Sequence, residues 1–264
     1  AQAACLGHAQ PQQRFNFDVV PQFPAAKIYA AWAPLLERVG QSAQVCFELR
    51  IAPSIPEFEQ TLWSGQSQWA YANPYHAVIA YKRHRYIPLL ADGKDKLSGI
   101  LVVPKDSKAQ NVEAIKGQQV AFPAPNAFAA SLLIRAELAR QHIDISPVFV
   151  KTHGNVYRAV IARDIPAGGG VNNTLASESK EVQSQLRVLY ETNAYTPHPV
   201  LAHPNVPAQW RQRVQEAFLA LTKDEPGQRL LEGVGIEQPM SVTYAQHYKP
   251  LEALRLEKFL VLGN

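Results

Sequence analysis

Short β-rich runs alternate with amphipathic segments along almost the whole chain. This alternation predicts helices packed on sheets, because a helix between two strands carries the chain back over the sheet and leaves the strands parallel. We therefore predict an α/β fold with mostly parallel sheets. Strands are predicted at residues 15–20, 45–52, 68–71, 99–103, 119–122, 147–151, 186–190 and 199–202. Helices are predicted at residues 24–39, 55–63, 74–83, 127–141, 155–162, 207–221 and 226–233, with further helix within 241–259.

The 264 residues exceed the usual size of one domain, about 100–150 residues, and fit either two lobes or one large domain. A continuous apolar strand at residues 99–103 opens a second series of strands and helices, and the elements after residue 195 resemble a return to the first series. We predict one lobe from residues 1–98 and 196–264 and a second from residues 99–195. The two crossings form a hinge, and ligands in such sheets bind beyond the carboxyl ends of strands. The predicted site is therefore the cleft between the lobes.

The composition favours a globular chain, with 47% hydrophobic and 18% charged residues. Lys and Arg number 26 against 22 Asp and Glu, and only residues 82–85 form a basic run. Nucleic-acid binding is not predicted, because such binders concentrate positive charge on one face. The basic run is either a solvated loop or a docking point for a partner.

Cys5 and Cys46 are the two cysteines of the chain. We predict that they pair in an oxidising compartment. Two unpaired thiols are one alternative, and a lipid anchor on Cys5 is another, since Ala3 and Ala4 resemble the end of a lipobox although Gln2 does not. The polar opening at residues 1–13 suits a chain whose signal peptide has been removed, which predicts a periplasmic protein.

No familiar catalytic or nucleotide-binding motif occurs in the sequence, such as GxSxG, HExxH, GxxxxGK[ST] or GxGxxG. The eight histidines are dispersed, without the close spacing that places two of them on one helix face around a metal. We therefore predict a binding protein that needs no cofactor or metal and performs no catalysis.

The first candidate site follows the strand predicted at residues 68–71. Asn73 precedes Pro74, a favourable first residue of a helix, so Asn73 is placed to cap that helix. Tyr71 and Tyr75 offer hydroxyl groups beside it. Two interpretations stay open: these three residues contact a ligand, or Asn73 only caps the helix while the tyrosines only pack.

Three junctions in the second lobe carry further candidates. Asn126 precedes a helix whose first N–H groups, from Ala127 onward, favour an anion. His153 follows the strand predicted at residues 147–151, and a glycine-rich turn at residues 168–170 leads to Asn172. Each junction also has a purely structural interpretation, as a capped helix, a packed histidine or a tight turn.

These motifs follow one another in a recognisable order: Val-Val-Pro-Gln at 19–22, Tyr-Ala-Asn-Pro-Tyr at 71–75, Ala-Phe-Pro at 121–123, Pro-Asn at 125–126, His153, and Gly-Gly-Val-Asn-Asn-Thr at 169–174. The ordered set resembles the phosphonate-type (PhnD-like) periplasmic binding proteins. The resemblance implies the two-lobed type II binding-protein fold and a role as extracytoplasmic receptor of an ABC importer for phosphonate, phosphite or phosphate. Some members of the family instead report oxyanions to a sensor kinase.

Tyr71, Asn73 and His153 match ligand-binding positions of the family pattern. Together with the other candidates, the predicted ligand-binding positions are Phe23, Tyr71, Asn73, Tyr75, Asn126, Ala127, Phe128, His153 and Asn172. Phosphonate binders carry Ser-Thr-Ser after the Pro-Asn motif, whereas this chain has Ala-Phe-Ala at 127–129, and Ile55 replaces a family tyrosine. A charge-assisted hydrogen bond contributes about 1.5–3 kcal/mol, so the loss of three hydroxyls predicts weak phosphonate binding. We expect a small polar or anionic ligand with an organic part or a less charged head.

The leading functional prediction is therefore a monomeric receptor that delivers its ligand to the permease of an ABC importer. One alternative keeps the same fold and cleft but makes the partner a sensor kinase. Another is an enzyme on this fold, for which His153 is the one clear acid or base.

Overall fold

The computed structural model describes residues 4–262, and strands and helices alternate along them. The strands are β1 (Leu6–Gly7), β2 (Gln13–Val19), β3 (Val45–Arg50), β4 (Trp69–Tyr71), β5 (Ile87–Asp92), β6 (Leu97–Pro104), β7 (Gln119–Phe122), β8 (Ser146–Phe149), β9 (Ala167–Val171), β10 (Leu186–Tyr195), β11 (Val200–Ala202) and β12 (Pro239–Ser241). Every predicted strand is present. The patterns do not predict β1, β5, β9 and β12; β5 contains Pro88, which weakens a strand signal.

Every predicted helical segment contains helix, and residues 180–184 form a further helix that the patterns do not predict. The α-helices are α1 (Ala25–Ala43), α2 (Ile55–Trp63), α3 (Pro74–His84), α4 (Ile134–Arg140), α5 (His153–Ile161), α6 (Asn172–Ala176), α7 (Lys180–Ser184), α8 (Ala208–Leu219) and α9 (Glu225–Gly233). Side-chain caps explain several starts, since Ser54 and Asp224 each accept a backbone N–H three residues later. No helix within residues 4–262 is both long and apolar enough to span a membrane.

The described residues form two compact units. The first contains residues 4–96 and 196–253, and the second contains residues 97–195 and 254–262. The chain therefore passes between the units after residues 96, 195 and 253. The last passage differs from the prediction, which places all of residues 196–264 in the first lobe.

Each unit is built on one mixed sheet. In the first unit the strand order is β1-β3-β2-β4-β11-β5-β12, and β2 is parallel to β3 and β4 while the other pairs are antiparallel. In the second unit the order is β10-β6-β9-β7-β8, with β7 parallel to β8 and β9 and with β6 antiparallel to β9 and β10. The α/β class with two open sheets is confirmed. The sheets are less parallel than predicted, because β6, β10 and β11, which flank the passages between units, are antiparallel to their neighbours.

The core of the first unit lies between α1 and its sheet. The inward residues of α1 follow helical spacing, from Ile28 through Trp32, Leu35 and Leu36 to Val39. The Trp32 ring lies 5.3 Å from the Phe17 ring of β2. Full burial of one such side chain contributes about 1.5–3 kcal/mol, so this apolar face is sufficient to hold α1 on the sheet.

The N-terminal arm is attached to the edge of the first sheet. Cys5 and Cys46 form the predicted disulfide, with their Cα atoms 5.3 Å apart, and β1 pairs antiparallel with β3 beside it. The Gly7 N–H donates to Glu37, 3.0 Å away, and a Cβ on Gly7 would lie 2.4 Å from the Val45 carbonyl oxygen. Because both thiols are used in this bond, the alternatives of unpaired thiols and of a lipid anchor on Cys5 are not supported. Gln2 and Ala3 of the lipobox-like segment lie outside the described residues.

The glycine-rich segment at residues 168–170 is a buried strand, β9, and not the predicted turn. A Cβ on Gly169 would lie 2.1 Å from the Ala130 carbonyl oxygen, and one on Gly170 would lie 2.3 Å from the Tyr157 hydroxyl. Both distances are too short for a non-bonded carbon. The glycines therefore let the helices on both faces approach this strand, which agrees with the expected close backbone approach.

Two side chains hold the C-terminal segment on the second unit. The Asn126 amide donates to the Val261 carbonyl oxygen at 2.6 Å and accepts from the Val261 N–H at 2.8 Å. Arg135 donates to the Phe259 carbonyl oxygen at 3.0 Å, and its guanidinium lies 5.6 Å from the Phe259 ring centre. These contacts explain why residues 254–262 belong to the second unit and not to the first.

Candidate functional site

Tyr71 is the last residue of β4 and stands at the carboxyl end of that strand. Its ring packs against Trp32, with 4.9 Å between ring centres, and against His198, at 5.5 Å. Burial, followed by the nearby negative charge of Asp92, raises the pKa of Tyr71. The hydroxyl therefore stays protonated and is available as a neutral hydrogen-bond donor.

Asn73 is buried and caps α3, as predicted. Its Oδ1 accepts from the His76 N–H at 2.8 Å, and its own N–H donates to His76 Nδ1 at 3.2 Å. The two bonds form a capping box, which fixes both the side chain and the backbone of Asn73. Contact between Asn73 and a ligand stays a prediction.

Tyr75 and Phe23 differ in their surroundings. Tyr75, the second residue of α3, is only 1% exposed, so its ring belongs to the interior. Phe23 is half-buried against the first core, and the Lys27 ammonium lies 4.2 Å above its ring. Tyr71, Asn73 and Tyr75 all lie at the junction between β4 and α3. Phe23 lies elsewhere, before the start of α1.

The helix that runs from Phe128 through α4 is called the second-unit helix here, and it begins without a side-chain cap. The prediction of a single helix at residues 127–141 is refined, because the segment is a π-helix (Phe128–Leu133) that continues into α4. Ala127 is the N-cap residue and makes no side-chain capping bond. By helix geometry the first backbone N–H groups, at Phe128 and the two residues after it, have no acceptor within the helix.

The Phe128 side chain is buried, with its ring 5.8 Å from that of Tyr195.

Asn126 is already engaged by the C-terminal segment. Its Oδ1 and Nδ2 both bond to the backbone of Val261. The predicted ligand contact at this position therefore competes with a structural role that the sequence patterns do not reveal.

His153 is the first residue of α5, where Thr152 is the capping residue. The imidazole is 3% exposed, and burial lowers its pKa to about 4. Its Nδ1 is buried and has no hydrogen-bond partner among residues 4–262. The ring is therefore neutral at neutral pH, and one of its polar atoms is left unsatisfied by the described residues.

Asn172 begins α6 and supports the entry into the second unit. Its Oδ1 accepts from the Ser98 N–H at 3.3 Å and from the Asn173 N–H at 2.9 Å. Asn126, His153 and Asn172 thus stand at three different strand-to-helix junctions of this unit, after β7, β8 and β9.

Sequence reasoning misses several polar residues around Tyr71 and Asn73. His198 lies against the Tyr71 ring, and the Tyr248 hydroxyl donates to the Pro197 carbonyl oxygen at 2.8 Å. His76 completes the capping box, but that motif is usually recognised by Glu or Gln at this position. Within residues 4–262 no three His, Cys, Asp or Glu side chains are grouped closely enough to hold a metal ion.

Comparisons with known proteins point to one family. A family model described as the periplasmic substrate-binding protein of a phosphonate ABC transporter matches residues 17–248. No curated protein sequence matches the chain. The fold is similar to a phosphonate-transporter binding protein of Pseudomonas aeruginosa (TM-score 0.82, 16% identity, 94% of this chain and 87% of that one). It is also similar to PhnD1 of Prochlorococcus marinus in complex with methylphosphonate (TM-score 0.83, 12% identity, 94% and 99% covered).

Proposed function

Because the chain belongs to the family of periplasmic substrate-binding proteins of phosphonate ABC transporters, we propose that it delivers a small polar or singly charged ligand to an importer permease. The proposed ligand contacts are the residues at the carboxyl ends of strands, which is where ligands of open α/β sheets bind. The observation that carries the altered specificity is the start of the second-unit helix, where Ala127 offers neither a hydroxyl nor a capping bond.

The donors at this helix start are backbone groups. The family pattern supplies three hydroxyls here, and each bond to an anionic oxygen is worth about 1.5–3 kcal/mol. The backbone N–H groups of the first turn and the helix dipole remain, and the dipole favours a negative charge by about 0.3–1 kcal/mol. The remaining donors suit a weakly charged group better than a phosphonate dianion.

The charges of the candidate residues support the same ligand class. None of the nine predicted ligand-binding positions carries a Lys or Arg. His153 is buried with a pKa of about 4, so it adds no positive charge at neutral pH. Nδ1 has no hydrogen-bond partner among residues 4–262, and in the neutral ring it can form one uncharged hydrogen bond to a ligand, as donor or acceptor.

Isothermal titration of the ligand-free protein tests this proposal. The panel contains methylphosphonate, inorganic phosphate, organic monoanions and zwitterionic amino acids. We expect methylphosphonate and phosphate to bind more weakly than about 1 µM, and at least one of the other classes to bind more tightly than they do.

A gain-of-function variant tests whether the missing hydroxyls are the cause of weak phosphonate binding. Ala127→Ser with Ala129→Ser restores two hydroxyls at the helix start and keeps the buried Phe128. Each restored bond is expected to strengthen methylphosphonate binding by about tenfold or more. The control is Ala208→Ser, which adds a hydroxyl at the exposed start of α8 in the other unit. Unchanged methylphosphonate affinity in the double variant would argue against the missing hydroxyls as the cause.

A further inference from the structure

A buried acid and a buried histidine lie directly behind the Asn73 junction. Glu59 of α2 is 4% exposed and His76 of α3 is 1% exposed. The Glu59 Oε2 atom is 2.7 Å from His76 Nε2, within hydrogen-bond distance. Aromatic rings surround the imidazole, with the Phe58 ring centre at 5.4 Å and that of Trp63 at 5.8 Å.

The hydrogen bonds determine which nitrogen of His76 carries the proton. Nδ1 lies 3.2 Å from the Asn73 backbone nitrogen, which is always a donor, so Nδ1 must be the unprotonated acceptor. The proton is then on Nε2, which donates to Glu59. Asn73 Nδ2 is 3.3 Å from Nε2, but this contact is not a hydrogen bond in that tautomer because Nε2 has no free lone pair.

Burial of Glu59 and His76 costs free energy, so stability alone does not explain the pair. Removing a carboxylate and an imidazole from water is unfavourable, and their mutual hydrogen bond offsets only part of that cost. The pair instead fixes the local geometry. Glu59 accepts from His76 Nε2, which leaves Nδ1 unprotonated to accept the Asn73 N–H. The Asn73 side chain is in turn held by the His76 N–H.

We propose that Glu59 and His76 are positioning residues of the binding site: they hold the Asn73 junction in its ligand-binding geometry before a ligand arrives. The inference rests on the proposed function, in which Asn73 contacts the ligand. A rigid junction binds more tightly because its ordering cost is met in the free protein.

The first test needs no ligand. In ¹⁵N-histidine NMR spectra of the wild-type protein, His76 is expected as the neutral tautomer with the proton on Nε2. Glu59→Leu removes the acceptor at similar volume, and the Asn73 amide is expected to exchange with solvent about tenfold faster. The melting temperature is expected to fall, because the buried Nε2–H of His76 loses its acceptor. The control is Glu57→Gln, which removes an exposed carboxylate two residues away in α2.

A rescue variant separates positioning from general packing. Glutamine at the same helix position also accepts the capping N–H, so His76→Gln is expected to retain slow Asn73 exchange while His76→Leu loses it. Methylphosphonate titrations followed by NMR, which measure even millimolar binding, are expected to show about tenfold weaker affinity for His76→Leu than for His76→Gln.

Two results would overturn the positioning role: His76 protonated on Nδ1 in the wild type, or unchanged Asn73 exchange in both Glu59→Leu and His76→Leu. Failure of the proposed ligand class is seen separately, in the titration panel of the wild-type protein. The tautomer and exchange results therefore decide the positioning role whatever the ligand is.

Discussion

Replacing His153 with Gln is expected to flatten the pH dependence of stability of the second unit. Burial lowers the pKa of His153 to about 4 in the folded protein, whereas an unfolded histidine titrates near its ordinary value of about 6.5. Between these values the unfolded chain binds a proton that the folded chain does not. The free energy of unfolding therefore falls as the pH falls from about 6.5 to about 4, and this contribution is fully present only above pH 6.5.

The expected size follows from the gap between the two pKa values. One pKa unit corresponds to about 1.4 kcal/mol, so the gap from about 4 to about 6.5 gives about 3 kcal/mol. Domains unfold with about 5–15 kcal/mol in total, so protonation of this one group removes a substantial part of the free energy of unfolding. Gln does not titrate and does not contribute this dependence.

The assay must report on the correct unit. Trp32, Trp63, Trp69 and Trp210 all lie in the first unit, so tryptophan fluorescence follows that unit. Hydrogen exchange of the α5 amides, measured across urea concentrations from pH 4 to 7.5 without ligand, follows the second unit instead. His142→Asn is the control, because His142 lies in the same unit with a positive φ of 59° that Asn tolerates. If the free energy of unfolding had the same pH slope in the wild type and in His153→Gln, burial of His153 would not be the cause of the pH dependence.

Three further predictions concern stability. Ala127→Ser supplies the missing cap of the second-unit helix, so calorimetry is expected to show a stabilisation of about 0.5–2 kcal/mol; a lower melting temperature would contradict it. Replacing Cys5 and Cys46 by Ser opens a loop with a sequence separation of 41, which is expected to cost the first unit about 2–4 kcal/mol in urea titrations followed by tryptophan fluorescence. Gly169→Ala places a methyl group against the Ala130 carbonyl and is expected to lower the melting temperature by several degrees; Gly233→Ala, where the space is open, is its control.

Much of the fold could be predicted because local patterns determine it. The apolar spacing of α1 and the Ser54 and Asp224 caps act within a few residues, so they are visible in the sequence. Strand direction is different, since it depends on which distant strands pair. The antiparallel pairing of β11 with β4 and β5 joins segments more than a hundred residues apart, and no local pattern encodes it.

The candidate site shows the same limit. The Asn73 cap follows from its neighbours, whereas the Asn126 bonds to Val261 cross 135 positions of sequence. The glycines of β9 fit either a turn or a crowded strand when read alone. The crowded strand is indicated only by the close approach of Ala130 and Tyr157, which belong to other elements.

Weak phosphonate binding is expected because Ala127, at the start of the second-unit helix, has no hydroxyl group. Isothermal titration of methylphosphonate into the ligand-free wild-type protein tests it most directly. With Ala127 at the cap and backbone donors alone at the helix start, the dissociation constant is expected to lie above about 1 µM. Submicromolar binding would show that the missing hydroxyls do not weaken phosphonate binding, and that the protein binds the ordinary ligand of its family.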